Sequence, residues 1–507
     1  MRSSRKLRAQ YRAIVAYTGL TLAVIGGVML LPLATFLFRP GEMRHTAAFL
    51  VPALLLVAGG VGCFQRYRSG AVSLSLMDGS VVVVASWLLA CLFSAWPLMA
   101  VEGLTFTEAV FEAVSGWTTT GLSVVDVTRA AHITLIWRSV MQLVGGAGFA
   151  IIMLAAFIGP IGPGLSSAEG RTDQLVPHVR QSARIVLTLY LGYTIAGIVA
   201  YLLVGMTLFD AVNHAFAAVS TGGFSTHVES IGYWNSAAVE AVTIMLMLLG
   251  NLNFFTAYLL VRGRIRAATR SGEVRLVAVV APVCIVVLLT LVVGSVYPSL
   301  EKSLRVAVFE TITALTTTGF STVSYLDWNP LGVFVLTILM IIGGGTCSTA
   351  GGLKQYRVFL LAKTVAWELR RSLLPQSAVV EHAVWQGDQR AFVRDHHIRQ
   401  IAAFAFLYLA TLALGTAILA AHGYALPEAL FEYASAQGTV GLSLGVTSPS
   451  APRLVLWTET AGMFLGRLEF FVVFISIAKV VRDLPGLLAR SEPGRKVRRK
   501  ERQTVAG

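Results

Sequence analysis

Charge is scarce in this 507-residue chain: 13% of residues are Asp, Glu, Lys or Arg, against 55% hydrophobic, with a mean hydropathy of +0.71. So few charges cannot cover the surface of a soluble protein of this length, so the composition points to a membrane protein. Cysteine is rarer still. Cys63, Cys91, Cys284 and Cys347 each stand alone in or beside an apolar run, and without a C-x-x-C pair neither a disulfide framework nor a zinc site is suggested. The nine histidines are scattered, His396-His397 lies in a polar loop, and no H-E-x-x-H occurs. A membrane enzyme is therefore disfavoured, and the phosphate-loop pattern G-x-x-x-x-G-K-[ST] is missing as well.

What the chain has in abundance is apolar runs of spanning length. They fall near 14–37, 47–64, 76–100, 134–158, 185–206, 237–261, 276–297, 331–345 (continuing to 362), 400–421 and 455–480. The basic start Met1-Arg2-Ser3-Ser4-Arg5-Lys6 resembles a signal-peptide n-region, but the run after it is too long and reads as an uncleaved first helix. A net charge of +14 in a soluble protein would hint at nucleic acid. Here the basic residues collect at the N-terminus and in 65–70, 159–184, 262–275, 354–399 and 481–507. Roughly thirty of the Lys and Arg lie on that one side of alternating spans, the positive-inside pattern, so both termini are expected to be cytoplasmic and no nucleic-acid partner is expected. The basic tail at 495–500 suits anionic lipid, with a cytosolic partner as the sharper alternative.

One short pattern occurs four times: hydroxyl residues closing on glycine, in Thr118-Thr119-Thr120-Gly121, Ser220-Thr221-Gly222-Gly223, Thr316-Thr317-Thr318-Gly319 and Gly438-Thr439-Val440-Gly441. Nine residues before each closing glycine stand Glu112, His214, Glu310 and Glu432. Each copy lies between two apolar runs and follows a short segment (106–116, 208–219, 306–315, 427–435) that, at about ten residues, cannot cross a core of roughly 30 Å. Irregular backbone at that depth survives only inside protein or along a water-filled cavity. Four such hairpins around one axis would present carbonyl oxygens in place of a hydration shell, which is how an ion filter works. Glycine tolerates the backbone angles required, and the short helices would aim their partially negative C-termini at a cation. The competing reading, ordinary turns between spans, suits one copy better than four. Glu108, Glu112, Glu310 and Glu432 fit either attraction of cations or buried hydrogen bonding, and the sequence leaves both open.

The second span of each unit also carries a pattern: Gly145-Gly146-Ala147-Gly148-Phe149, Gly250-Asn251-Leu252-Asn253-Phe254, the long run 343–354, and Gly466-Arg467-Leu468-Glu469-Phe470. Close helix packing explains the first well. In the third, Gly345-Thr346-Cys347-Ser348-Thr349-Ala350-Gly351-Gly352 is too polar and glycine-rich to continue a helix, so the span is expected to break there into a loop that serves as a gate. Arg467 is expected to face the pore beneath the filter and oppose resident cations, rather than pair with Glu469.

On these motifs the chain resembles the Trk/Ktr/HKT superfamily of potassium transporters. The four glycine patterns look like that family's pore loops, 343–354 like its intramembrane gating loop, and Gly466-Arg467-Leu468-Glu469 like its fourth-repeat arginine motif. Two extra N-terminal helices place the resemblance in the bacterial TrkH/TrkG branch rather than the shorter Ktr branch. The fold it implies is an all-α polytopic membrane protein: a peripheral two-helix extension (1–70) and four span–pore-helix–filter–span repeats (71–182, 183–270, 271–398, 399–485), with a basic cytoplasmic tail (486–507). It also implies K⁺ as the transported ion at the sixteen filter residues, a homodimer, the bacterial cytoplasmic membrane, and a cytosolic TrkA/KtrA-like ring that binds nucleotide while this chain binds no cofactor itself. Glycine at all four filter positions goes with potassium preference, and Gly222, where the first and third copies have threonine, makes the ring asymmetric. The runner-up function is a secondary transporter coupling another cation or small solute to proton or sodium flow.

Overall fold

The computed structural model of the chain describes residues 4–67, 74–148, 179–375, 381–386 and 389–488. The first residues of the basic start, Phe149, the end of the 134–158 run, most of the basic loop 159–184 and the tail at 495–500 lie outside the described residues.

Six helices among the described residues are long and apolar enough to cross a membrane. Two belong to the N-terminal extension, and the other four open the four repeats: Leu76–Glu102, Val179–Leu203, Gly272–Leu291 and Asp395–Ala421. Among the described residues none of the second spans forms a single helix of spanning length. His132–Ala147, Ala237–Asn251, Pro330–Ile342 and Arg453–Leu468 have 16, 15, 13 and 16 residues. At 1.5 Å per residue each reaches about 20–24 Å, short of the roughly 30 Å core. The second restarts as Phe254–Val261 after a bend of 113°, the third as Gln355–Ser372 and the fourth as Phe470–Leu488.

The sequence had singled out only the third of these spans as broken, and here the structure departs from it. The cause is a close approach. A Cβ on Gly145, Gly250 or Gly466 would run into the carbonyl oxygens of Trp117, Val219 or Gln437, at the C-terminus of the same repeat's pore helix. The first, second and fourth second spans are thus pinned where the pore helix ends, and in all four the helix ends at a turn or an extended residue. Gly148, Gly343 and Glu469 turn with φ of +78°, +71° and +56°, while Leu252 is extended. The small-residue packing expected for the first copy is real, and it recurs in the second and fourth.

The pore helices are Phe106–Trp117, Leu208–Val219, Leu300–Leu315 and Leu426–Gly438. Their starts are fixed by capping, which occupies the first orphan N–H groups. Thr105 and Glu108 form a reciprocal capping box, Thr207 caps Asp210, Ser299 caps Lys302, and Glu428 accepts from the Ala425 N–H at 3.2 Å.

The N-terminal pair is less peripheral than the sequence implied. Its helices Ser4–Val28 and Thr46–Tyr67 cross where a Cβ on Gly60 would meet the Gly19 carbonyl. In the connection between them, Glu42 accepts from the backbone N–H groups of His132 at 3.0 Å and Ile133 at 2.9 Å, capping the first repeat's second span. One small departure from an all-α chain is the antiparallel hairpin Ala383–Gln386 with Gln389–Phe392, in the loop that ends the third repeat. Two apolar clusters fill the molecule, one around the extension and first repeat, the other around the second and third; the fourth repeat contributes to both.

Candidate ion pore and gate

After each pore helix the chain enters the left-handed region twice. Thr119, Thr221, Thr317 and Thr439 have φ of +55°, +54°, +53° and +50°, and two residues on Gly121, Gly223, Gly319 and Gly441 have +97°, +72°, +83° and +98°. Alternating handedness turns successive peptide units the same way, so that their carbonyls line one side of the strand. Holding a threonine there costs about 1–2 kcal/mol, which the surroundings must supply four times over.

The four closing glycines meet in a ring. A Cβ on Gly121 would strike the Gly222 carbonyl, one on Gly223 the Thr318 carbonyl, one on Gly319 the Val440 carbonyl, and one on Gly441 the Thr120 carbonyl. Each repeat touches the next and the fourth closes on the first. No side chain fits at these four positions. The hydroxyls of Thr119 and Thr439 are buried with no protein hydrogen-bond partner. Thr118 and Thr316 bond to Thr120 and Thr318 through their hydroxyls, both at 2.8 Å, and Ser220 bonds to the Ala217 carbonyl at 3.1 Å.

The odd glycine of the second filter has a local cause. Gln142, from the first repeat's second span, donates to the Gly222 carbonyl at 2.5 Å and accepts from the Phe224 N–H at 3.2 Å. A Cβ on Gly222 would occupy the space of that amide. Nothing in the sequence pointed to Gln142, because its partner lies in another repeat.

Behind each filter sits the residue nine positions before the glycine, and all four are fully buried. Glu112 accepts from the Ser123 hydroxyl and the Val124 N–H, both at 2.9 Å, and pairs with Arg138 at 2.7 Å. His214 Nδ1 donates to the Asp210 carbonyl at 2.8 Å, so that Nε2 accepts from the Ser225 hydroxyl at 3.0 Å. Glu310 accepts from Thr322 and, at 2.5 Å, from the Tyr325 hydroxyl. Glu432 accepts from Ser443, Leu444 and Thr447. Of the two roles the sequence left open for these glutamates, Glu112, Glu310 and Glu432 take the buried one, and Glu108 caps its helix.

The polar run of the third repeat lies across the inner ends of the filters. The Thr349 hydroxyl lies 3.1 Å from that of Thr221 and also reaches the Gly250 carbonyl at 3.0 Å. The Gly351 N–H donates to the Thr317 hydroxyl at 2.7 Å, and a Cβ on Gly351 would strike the Gly438 carbonyl. The loop is held at its start by Asn251, which accepts from the Gly345 N–H at 2.9 Å, and by Glu273, which accepts from the Thr346 N–H at 2.6 Å. Ser348 closes the turn on the Gly345 carbonyl at 2.6 Å, and Cys347 sits at φ +54°. Lys354 donates to the Ala350 carbonyl, and Gly352 packs on Gly343. Arg467 donates to the Thr349 carbonyl and, at 2.7 Å, to that of Gly145, tying loop to first repeat. Glu469 pairs with Arg357 at 2.7 Å.

A family model described as TrkH, cation transport protein, matches residues 45–483. The chain belongs to the TrkH family of cation transport proteins. It is 31% identical over 462 residues to the Trk system potassium uptake protein TrkG of Escherichia coli K12, covering 88% of this chain and 93% of that one. To the Trk system potassium uptake protein TrkH of Halomonas elongata it is 31% identical, with 92% and 98% covered. The crystal structure of the potassium transporter TrkH from Vibrio parahaemolyticus superposes with a TM-score of 0.80 at 27% identity, over 92% of this chain and 98% of that one. This TrkH-family chain is therefore a mostly helical multi-pass membrane protein of an ion-transporter family, not an enzyme family.

Proposed function

We propose that the chain takes up potassium through a pore lined by Thr118–Gly121, Ser220–Gly223, Thr316–Gly319 and Gly438–Gly441, with 345–352 and Arg467 as its gate. The observation that carries this is the closed ring of backbone contacts among Gly121, Gly223, Gly319 and Gly441, which leaves peptide and threonine oxygens to replace the water around K⁺. Relatives named as potassium uptake proteins support the ion, and the charge bias of the loops supports a bacterial cytoplasmic membrane with both termini inside. In this reading the chain dimerises, binds no cofactor, and is regulated by a cytosolic ring of the TrkA/KtrA kind that holds the nucleotide.

Rubidium uptake by the chain in a potassium-auxotrophic host, with and without a co-expressed ring, tests the whole reading. Potassium is expected to compete with rubidium and organic solutes are not; competition by a solute instead would favour the secondary-transporter alternative. Gly319→Ser is expected to raise sodium relative to potassium, since its Cβ displaces the Val440 carbonyl from the ring. An unchanged ion ratio in reconstituted vesicles would remove the filter assignment.

A further inference from the structure

Three glycines lie against the pore helices, Gly145, Gly250 and Gly466, and seven residues before each stand Arg138, Thr243 and Glu459. These positions therefore correspond, and in the first and fourth repeats they lie beside the residue behind the filter. In the first repeat the pair is Glu112 with Arg138, opposite charges at 2.7 Å. In the second, Thr243 accepts from the Tyr201 hydroxyl at 2.9 Å, and the Tyr201 ring stands edge-on to His214, with no formal charge at the Thr243 position. In the fourth both partners are carboxylates: Glu432 and Glu459, each 0% exposed. Thr447 joins them, donating its backbone N–H to Glu432 at 3.0 Å and its hydroxyl to Glu459 Oε2 at 3.1 Å.

The two carboxylates are supplied very unequally. Glu432 receives the Ser443 hydroxyl at 2.7 Å as well as the N–H groups of Leu444 and Thr447, so its lone pairs face hydrogens. Glu459 receives one hydroxyl, and its Oε1 is buried with no hydrogen-bond partner at all. Among the described residues no basic side chain forms an ion pair with either glutamate. The pore helix Leu426–Gly438 brings Glu432 and Tyr433 to this side, and Asp395–Ala421 and the turn after it bring Tyr408 and Tyr424. The far start of that helix carries His396, His397 and Arg399. Phe106–Trp117 carries Glu108, used as a cap, and Glu112, held by Arg138. On Phe470–Leu488, Lys479 and Arg482 pair with Asp78 and Asp483. Glu459's own helix carries Arg453 at its exposed start and, two turns on, Arg467, whose guanidinium reaches the gate-loop and first-repeat carbonyls.

Two ionised carboxylates sharing one dry site disfavour each other, and one of them resolves the conflict by binding a proton. We propose that Glu459 is a proton-binding site of the fourth repeat, occupied in the conformation seen here, and that its ionisation couples pH to ion flow through the pore. The proton comes from bulk water and forms an O–H bond on the carboxylate of Glu459, leaving Glu432 as the charged acceptor of its three donors. A proton fits better than a metal cation, which would need several free oxygens where the site offers one. Loss of the proton sets a second negative charge against Glu432, opens the Thr447 bridge, and loosens 441–447 immediately after the filter. The coupling to flow rests on the transport reading; the proton on Glu459 does not.

Infrared difference spectra of the full chain in lipid vesicles, titrated from mildly acid to alkaline pH, read the proton directly. A protonated-carboxyl C=O band is expected at neutral pH and is expected to vanish in Glu459→Gln. A missing band in the wild type, or its survival in that variant, overturns the site. Rubidium influx is expected to fall as pH rises in the wild type, and Glu459→Gln is expected to lose that dependence while keeping the acid-side flux. A variant with the wild-type pH profile overturns the coupling and leaves the transport reading intact. If Glu459→Gln does not fold, Glu459→Met, similar in size and unable to ionise, is read in the same way. A thermal shift with sodium or potassium at fixed pH that disappears in the variant would make the pair a cation site and also overturn the proposal.

Discussion

Arg138 is 2% exposed, and its guanidinium is fully engaged: Glu112 at 2.7 Å, the Ser123 hydroxyl at 2.9 Å and the Ser225 carbonyl at 3.3 Å. It also stacks 4.0 Å over the Phe224 ring, so one side chain holds the first and second filters together. Breaking such a buried pair from one side strands a charge, and Arg138→Ala is expected to cost about 3–5 kcal/mol. Replacing both partners by apolar residues is expected to cost clearly less than the sum of the single changes. Denaturant or thermal unfolding in detergent, arranged as a double-mutant cycle, measures the difference. None of this was visible in the sequence, where Arg138 is one charge in a long apolar run and its partner lies 26 residues away. Glu112 was noticed as a member of a repeated offset, with cation attraction and buried hydrogen bonding both left open.

At the scale of an element, the broken second spans decide how the pore can move. A continuous helix cannot place a loop beneath the filter; a span stopped at Ile342 and restarted at Gln355 can. Its loop is fastened from above by Thr221 and Thr317 and from the side by Asn251, Glu273 and Arg467. Arg467→Ala removes the link to Thr349 and a positive charge from the proposed ion path, so potassium or rubidium flux in vesicles is expected to rise. Deleting 346–352 is expected to leave the pore open, with influx independent of the regulatory ring. Flux unchanged in both variants would remove the gate assignment. The third break was legible because the polar, glycine-dense run 343–352 cannot stay helical. The second and fourth were not, because Leu252 and Glu469 are single turning residues whose cause, a glycine pressed on a distant carbonyl, is a contact in space.

Across the whole molecule, the first and last described helices meet. Lys479 on the last helix is buried, with Nζ 3.0 Å from Asp78 and 2.7 Å from Asp483, and it lies over the Tyr11 ring of the first helix. Asp78 also accepts from Ser75 at the start of the first repeat's opening span, making a capping box. This cluster fixes the segment that follows Arg467 to the extension and the first repeat. Lys479→Ala leaves the buried Asp78 without its cation, while Asp483 keeps Arg482 at 3.4 Å, and is expected to lower stability by about 3–5 kcal/mol, read as a lower unfolding midpoint in detergent. A change within ±0.5 kcal/mol, typical of surface positions, would show that the cluster is not structural.

The sequence by itself determined that the chain spans a membrane many times and that it carries one unit four times. Both follow from local quantities: hydrophobic runs long enough to cross lipid, and a glycine pattern at a constant distance from a short segment. Only the tertiary structure decided that the four patterns close into a ring, that Gln142 rather than a threonine fills the second corner, and that Glu432 faces another carboxylate where Glu112 faces an arginine. Those are contacts between residues dozens to hundreds of positions apart, set by where packed helices bring their side chains, and no spacing along the chain encodes them.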